Sequence, residues 1–333
     1  MSIIFELSQE HESLPKAEII ACLLAEEIKF NIEEEDLGIL VVNAPDLDIQ
    51  YLIGRLALTH VIDELLFSCK ADESIDTKNT IKIGEGSFAV RAKRIQRLNE
   101  QLDLKEIEKV VADLVGDENP VDLTYPDHEI RVIVSNRCHI GKKLAKIDRS
   151  SFEERKVANR PYFSPVSLHP RLARALVNLS RVKEGQTLLD PFCGTGGVLM
   201  EAALIGARPV GSDVDKRMVK GCRKNLEHLD IQVSEIFCAD ISEVVGRVKE
   251  VEAIATDPPY GKAATTNRED VFALYERTFE TFNKILKPGG YASVVLPHAE
   301  LIKMGEDFLS LEETHAMRVH RSLTRNFCVY KKE

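Results

Sequence analysis

The 333-residue chain has no tryptophan, no Cys-x-x-Cys pair and no internal repeat or low-complexity tract. It also has no apolar run near the roughly 18 residues that a membrane-spanning helix requires. The last absence excludes a helical membrane protein. The seven cysteines are odd in number and lack ligand spacing, which excludes a zinc ribbon and a disulfide scaffold; they are expected to be reduced. His169, His298, His315 and His320 match no metal spacing, so no metal site is expected. The opening MSIIFELSQEHESL lacks the basic start and long apolar stretch of a signal peptide, so the expected location is cytoplasmic. The missing tryptophan carries little information. What is present, 44% hydrophobic and 29% charged residues, describes a soluble globular chain. At roughly 150 residues per domain it has length for about two.

The net charge of −10 argues at first against a nucleic-acid partner. Its distribution argues the other way. Residues 1–78 hold 5 Lys and Arg against 17 Asp and Glu, a net of −12. Residues 130–183 hold 13 against 3, a net of +10. A basic belt in an acidic protein is a candidate phosphate footprint. Charge alone leaves two other readings open, a solvated surface and a patch that docks on the acidic N-terminal part.

The N-terminal part reads as α+β. Residues 38–43, 87–92 and 129–134 read as strands, and 103–115 as a helix. Apolar spacing from Leu52 to Leu66 predicts a helix over 48–68. From about residue 168 the rhythm changes. Strands are expected at 186–190, 208–213, 232–238, 251–257 and 290–296, with helices at about 197–205, 215–229 and 270–286. That alternation means a doubly wound, mainly parallel sheet, and 313–320 with 325–331 can close it as an antiparallel hairpin. The expected division is 1–148, a linker at 149–168 rich in charge and turn residues, and 169–333.

The first strand of the sheet runs into Asp190-Pro191-Phe192-Cys193-Gly194-Thr195-Gly196-Gly197. Glycines between strand and helix let a ligand approach the backbone and aim helix N–H groups at an anion. A dinucleotide fingerprint would place a third glycine where Leu199 stands, and the Walker lysine is missing, so neither a NAD site nor a P-loop is indicated. An acidic residue followed by FxGxGG suits S-adenosylmethionine: Asp190 for the ammonium or a bound water, the helix N-terminus for the carboxylate. Phe192, Gly194 and Gly196 belong to this loop. Asp213 ends the second strand, 23 residues after Asp190, and can accept the ribose hydroxyls. Asp240 ends the third and can accept from the adenine amine, with Val214 and Ile241 flanking the ring. One aspartate after a strand is an ordinary helix cap. Three at successive strand ends beside a glycine loop point to the cofactor.

The fourth strand ends in Asp257-Pro258-Pro259-Tyr260-Gly261. The prolines fix the chain and remove two N–H donors. An exocyclic base amine is a poor nucleophile because its lone pair is delocalised into the ring. Accepting one N–H on the Asp257 carboxylate and the other on the Pro258 carbonyl localises that lone pair, while Tyr260 stacks on a flipped base. Asp257, beside the cofactor loop, also counts among the cofactor contacts. An ordinary proline turn is the bland alternative, and it loses weight after a cofactor loop. A cysteine nucleophile would mean carbon methylation, but Cys193 sits in the cofactor loop, and a small buried side chain is the preferred reading.

The set DPFCGTGG, GSDVD, CAD, DPPYG and KPGG resembles the class I methyltransferases of exocyclic amines. RKVANRPYFSPVSLHPRLARALVNLS (155–180) and HRSLTR (320–325) narrow this to the THUMP-linked tRNA guanine-N2-methyltransferases, archaeal position-10 subgroup. FAVRAKR (88–94) and SNRCHIGKK (135–143) are similar to a THUMP domain, with a core at about 50–148, preceded by a ferredoxin-like piece. The resemblance implies a Rossmann-like catalytic domain and S-adenosylmethionine as cofactor. It implies a tRNA partner held at its 3′ acceptor end by the N-terminal unit. It also implies N2-methyl- and N2,N2-dimethylguanosine as products, and it leaves room for a small activating partner subunit. The RNA-binding candidates it implies are Arg91, Lys93, Arg94, Arg137, Lys142 and Lys143, with Arg160. The competing readings are a sister enzyme acting at tRNA position 6, a DNA adenine or protein glutamine methyltransferase, and an RNA-binding module on an inactive fold. Asp rather than Asn at position 257 speaks against adenine, the basic belt against protein, and the intact DPPY against an inactive fold.

Overall fold

The structure, a computed structural model, describes residues 1–71, 75, 80–164, 167–232, 235–260, 270–320 and 323–333. Two compact units are present. The first comprises Met1–Lys16, Ile28–Ile53 and Leu58–Asp148; the second comprises Ala17–Glu27, Gly54–Ala57 and Arg149–Glu333. Among the described residues no helix is long and apolar enough to cross a membrane.

In chain order the elements begin with β1 (Ser2–Leu7), α1 (Leu14–Ala25), β2 (Asn31–Asp36), β3 (Ile39–Asn43), α2 (Ile49–Arg55) and β4 (Thr59–Lys70). They continue with β5 (Phe88–Arg94), α3 (Leu104–Val115), β6 (His128–Val134) and β7 (Arg137–Lys146). The strands form one sheet in the order β2-β3-β1-β4-β7-β6-β5, in which β5 and β6 are the parallel pair. The expected helix over 48–68 is corrected: α2 stops at Arg55 and the rest is β4. Thr59, Val61 and Ile62 are β-branched, and β4 is hydrogen-bonded to β1 on one edge and β7 on the other. Two ladders outweigh the helical spacing of a few leucines. Helix α3 behaves locally: Asp103 caps it through the Lys105 N–H at 2.8 Å, and Gly116 at φ +79° ends it. Beneath the sheet Arg131 pairs with Asp63 at 2.6 Å and with Glu6, and burial pushes the Asp63 carboxyl up to about 6.

The second unit continues with α4 (Ser150–Glu154), α5 (Pro170–Leu179), β8 (Thr187–Asp190), α6 (Gly197–Leu204), β9 (Arg208–Asp213), α7 (Lys216–His228) and β10 (Glu235–Cys238). Then follow α8 (Ile241–Val244), β11 (Val251–Thr256), α9 (Val271–Ile285), β12 (Leu286–Leu296), α10 (Ala299–Glu306), β13 (Ser310–His320) and β14 (Leu323–Lys331). The sheet order is β10-β9-β8-β11-β12-β14-β13. The first five are parallel and the last two form an antiparallel hairpin beside β12. The expected strand over 232–238 is shorter, with 233–234 outside the described residues. The stretch expected as a linker lies in this unit and contains α4 and a 3-10 turn at Val157–Asn159.

Winding reverses between β8 and β11, so their carboxyl ends open a crevice, the place where such sheets bind ligands. The close fit of α6 over the sheet comes from an exchange of sizes. In a dinucleotide fold a glycine on the helix permits that approach; here Leu199 lies over Gly211 of β9, where an added Cβ would stand 2.4 Å from the leucine. A buried layer of Val294, Phe279, Phe282 and Tyr330 packs the other end of the sheet.

Candidate active site

The glycine loop is bent by two left-handed residues, Gly194 at φ +50° and Gly196 at φ +87°. Gly196 caps α6, and a Cβ there would meet Cys222 Sγ at 2.7 Å, so only glycine fits. Asp190, at the end of β8, is 2% exposed. Its Oδ1 accepts from Thr256 Oγ1 at 2.7 Å and from the Phe192 N–H at 3.2 Å. Thr256 closes β11, so this bond spans the point where the winding reverses. Burial is the main influence on Asp190 and pushes its carboxyl up to about 7; the Thr256 hydroxyl opposes it most.

Asp213 braces the loop from β9. It accepts from the Gly194 N–H at 3.0 Å and the Asp215 N–H at 2.8 Å, and burial raises its pKa. The helix that follows is capped by Asp215 instead. Asp240 does cap its helix: it accepts from the Ser242 N–H at 3.0 Å within a capping box on α8. It also holds Arg277 at 2.5 Å, and with these donors its pKa is lowered despite partial burial. Asp240 therefore spends part of its acceptor capacity on structure. Val214 is 44% exposed, whereas Ile241 is packed in the core and Phe192 lies partly buried against it.

The chain after β11 brings together Asp257, Pro258 and Tyr260, while Gly261 lies outside the described residues. The Tyr260 hydroxyl donates to Asp257 Oδ1, and Tyr275 Oη donates to the Pro259 carbonyl at 3.4 Å. Arg325 of β14 closes the group: its Nε lies 3.3 Å from Tyr260 Oη and its Nη2 4.0 Å from Asp257 Oδ2. Asp257 and Arg325 are 16% and 14% exposed. Burial raises the Asp257 carboxyl to about 6, opposed by the Tyr260 bond and the Arg325 charge. The rim thus carries a buried acid over the glycine loop and, beside it, a carboxylate, a proline turn, a tyrosine ring and a guanidinium.

An RMKL-like methyltransferase domain matches residues 158–326, and a THUMP domain matches 71–141. A tRNA (guanine(10)-N2)-dimethyltransferase of Methanothermobacter thermautotrophicus is 39% identical, with 98% of each chain covered. The chain belongs to that enzyme family. Another member, from Methanocaldococcus jannaschii, is 32% identical over 98% of this chain and 99% of its own. The crystal structure of TrmN from Thermus thermophilus covers both chains completely with a TM-score of 0.55 at 20% identity, a likeness of fold.

Membership in the family does not decide where RNA is held. The candidates of the first unit are each engaged within it. Lys93 pairs with Glu6 at 2.6 Å, Arg137 with Glu34 at 2.5 Å and Lys143 with Glu129 at 2.9 Å. Arg94 donates to the Leu102 carbonyl at 2.6 Å, Lys142 to that of Ile83 at 2.9 Å, and Arg91 to that of Leu123. Arg160 lies in the second unit, 8% exposed, with Nη1 3.4 Å from where a Cβ on Gly197 would be. A guanidinium that buried presents little surface to a phosphate. Thr256, Arg277 and Arg325 were missed. Of these, Arg325 alone left a signal, inside the HRSLTR phrase.

Proposed function

We propose that this chain transfers methyl groups from S-adenosylmethionine to N2 of guanosine 10 in tRNA, giving N2-methyl- and then N2,N2-dimethylguanosine. The observation that carries the reading is the pair of acids at the crevice, Asp190 bound to Thr256 and Asp257 bound to Tyr260, in a chain related end to end to enzymes of that name. The residues fit the cofactor: a loop open to a backbone-hugging ligand, a buried acid for its ammonium, and carboxylates of Asp213 and Asp240 with acceptor capacity left for ribose and adenine. When bound, the cofactor supplies an electrophilic methyl group.

The chain's own residues do the rest. Tyr260 stacks on the flipped guanine, and Asp257 and the Pro258 carbonyl accept the two N2 protons. As the N–CH3 bond forms and the S–CH3 bond breaks, one N2 proton must leave. Asp257, raised to about 6, is ionised at neutral pH and still basic enough to take it. One N–H remains after the first transfer, so the same acceptors serve a second.

We place the 3′ acceptor end of tRNA on the N-terminal unit, residues 1–148, with Arg91, Lys93, Arg94, Arg137, Lys142 and Lys143 meeting phosphates. Each has donors beyond those its protein partner uses. The test is incubation of the purified chain with methyl-labelled cofactor and unmodified tRNA, then mapping of the labelled nucleoside. Label in N2-methylated guanosine 10 is expected, and label elsewhere refutes the target. Activity of the chain alone tells whether a partner subunit is needed. Removing the 3′ CCA should sharply lower kcat/KM, and equal rates on trimmed tRNA would refute the placement of the acceptor end.

A further inference from the structure

Adenine and cytosine also carry exocyclic amines, so two acceptors for an amine do not by themselves select guanine. We propose that Arg325 is the residue that reads guanine, by donating to its O6. This rests on the functional reading just given. From C2 towards C6 the guanine edge runs amine donor, ring N–H donor, carbonyl acceptor. Its complement is two acceptors followed by a donor. At the rim the Pro258 carbonyl is there for one amine N–H, and the two oxygens of the Asp257 carboxylate are there for the other amine N–H and the ring N–H; Oδ1 also takes the Tyr260 hydroxyl and Oδ2 faces Arg325. The donor is the Arg325 guanidinium. Adenine presents a ring acceptor beside its amine, which would confront the carboxylate with a lone pair.

The fold puts Arg325 there for reasons of register. Asn326 pairs with Leu296, the last residue of β12, so Arg325 stands one residue beyond that ladder, at the carboxyl rim where Asp257 also emerges. It is opposite Met317 of β13, which anchors its backbone. At 4.0 Å the approach of Nη2 to Asp257 is too long for a hydrogen bond, and among the described residues the two Nη groups make none. Its Nε is within reach of Tyr260 Oη, which fixes the plane of the fork. Arginine is also the side chain that most often reads guanine, through O6 and N7 in duplex grooves. A guanidinium held on one side by Tyr260, with its Nη donors unused among the described residues and next to acceptors for an amine, is placed to donate to a base.

The experiment compares tRNA carrying guanine with tRNA carrying 6-thioguanine at the target, a change confined to the C6 acceptor. For the unaltered protein, the thio base should lower kcat/KM at least about tenfold, since a lost hydrogen bond to a charged donor has that size. Arg325→Met should lower kcat/KM on guanine by about ten- to a hundredfold and bring the two bases within about threefold of each other. Arg325→Lys, a single donor on a flexible stem, should fall between them. Binding of S-adenosylhomocysteine by each variant reports whether the crevice is intact. Equal losses on both bases with an unchanged ratio would show that Arg325 only supports Tyr260, and would overturn the proposal. Failure of the unaltered protein to methylate guanine N2 would instead sink the functional reading itself.

Discussion

Replacing Thr256 by valine should make cofactor affinity depend steeply on pH. The hydroxyl donates to Asp190 at 2.7 Å between two fully enclosed side chains, and valine keeps the shape while removing the donor. A hydrogen bond to a charged group contributes about 1.5–3 kcal/mol. At 1.36 kcal/mol per pH unit, its loss should move the Asp190 titration about one to two pH units further up. Asp190 already titrates at about 7, so at pH 7 roughly half of the molecules carry the charge. In the variant that fraction falls to about a tenth or a hundredth. If the ammonium of the ligand requires the ionised acid, S-adenosylhomocysteine should bind about five- to fiftyfold more weakly at pH 7. At pH 9 the difference should shrink to about twofold. Calorimetric titration from pH 6 to 9 measures both. A loss of equal size at every pH would mean that valine merely disturbs packing, and no loss at all would mean that Asp190 does not hold the ligand's charge.

Asp257→Asn should cut methyl transfer by at least about a hundredfold with tRNA affinity near normal, since the amide keeps one acceptor oxygen but has neither the charge nor the basicity to take the N2 proton; more than a tenth of the original rate would refute its role. Gly196→Ala should cost about 2–4 kcal/mol, from a left-handed backbone and a Cβ 2.7 Å from Cys222 Sγ. Adding Cys222→Ala should restore only the packing share, which urea midpoints of the single and double variants resolve. Acidification should stabilise the cofactor-free protein between pH 7.5 and 5.5. Asp190, Asp63 and Asp257 titrate near 7, 6 and 6, so the folded state binds more protons there than the unfolded chain. The sign is therefore a gain as pH falls, on the order of 3–4 kcal/mol; a midpoint that drops on acidification would contradict it.

The sequence by itself determined whatever is local. The glycine loop, the DPPY turn, the Asp103 cap and the alternation of strand and helix each depend on residues a few positions apart, so their geometry follows from residue type. The family phrases worked for the same reason. Tertiary structure alone decided which groups face one another. Thr256 meets Asp190 across 66 positions, Arg325 meets Tyr260 across 65, and Arg277 meets Asp240 across 37. No spacing rule reports such pairs, because they are set by which strands and helices the fold brings side by side. Within the helix expected over 48–68, the part from Thr59 became β4 because β1 and β7 supplied ladders on both its edges. Arg160 counts as a basic residue in the sequence, but packing beside Gly197 buries it. A formal charge is a property of the residue, whereas its availability to a partner depends on the solvent and counter-charges that only the folded neighbours define.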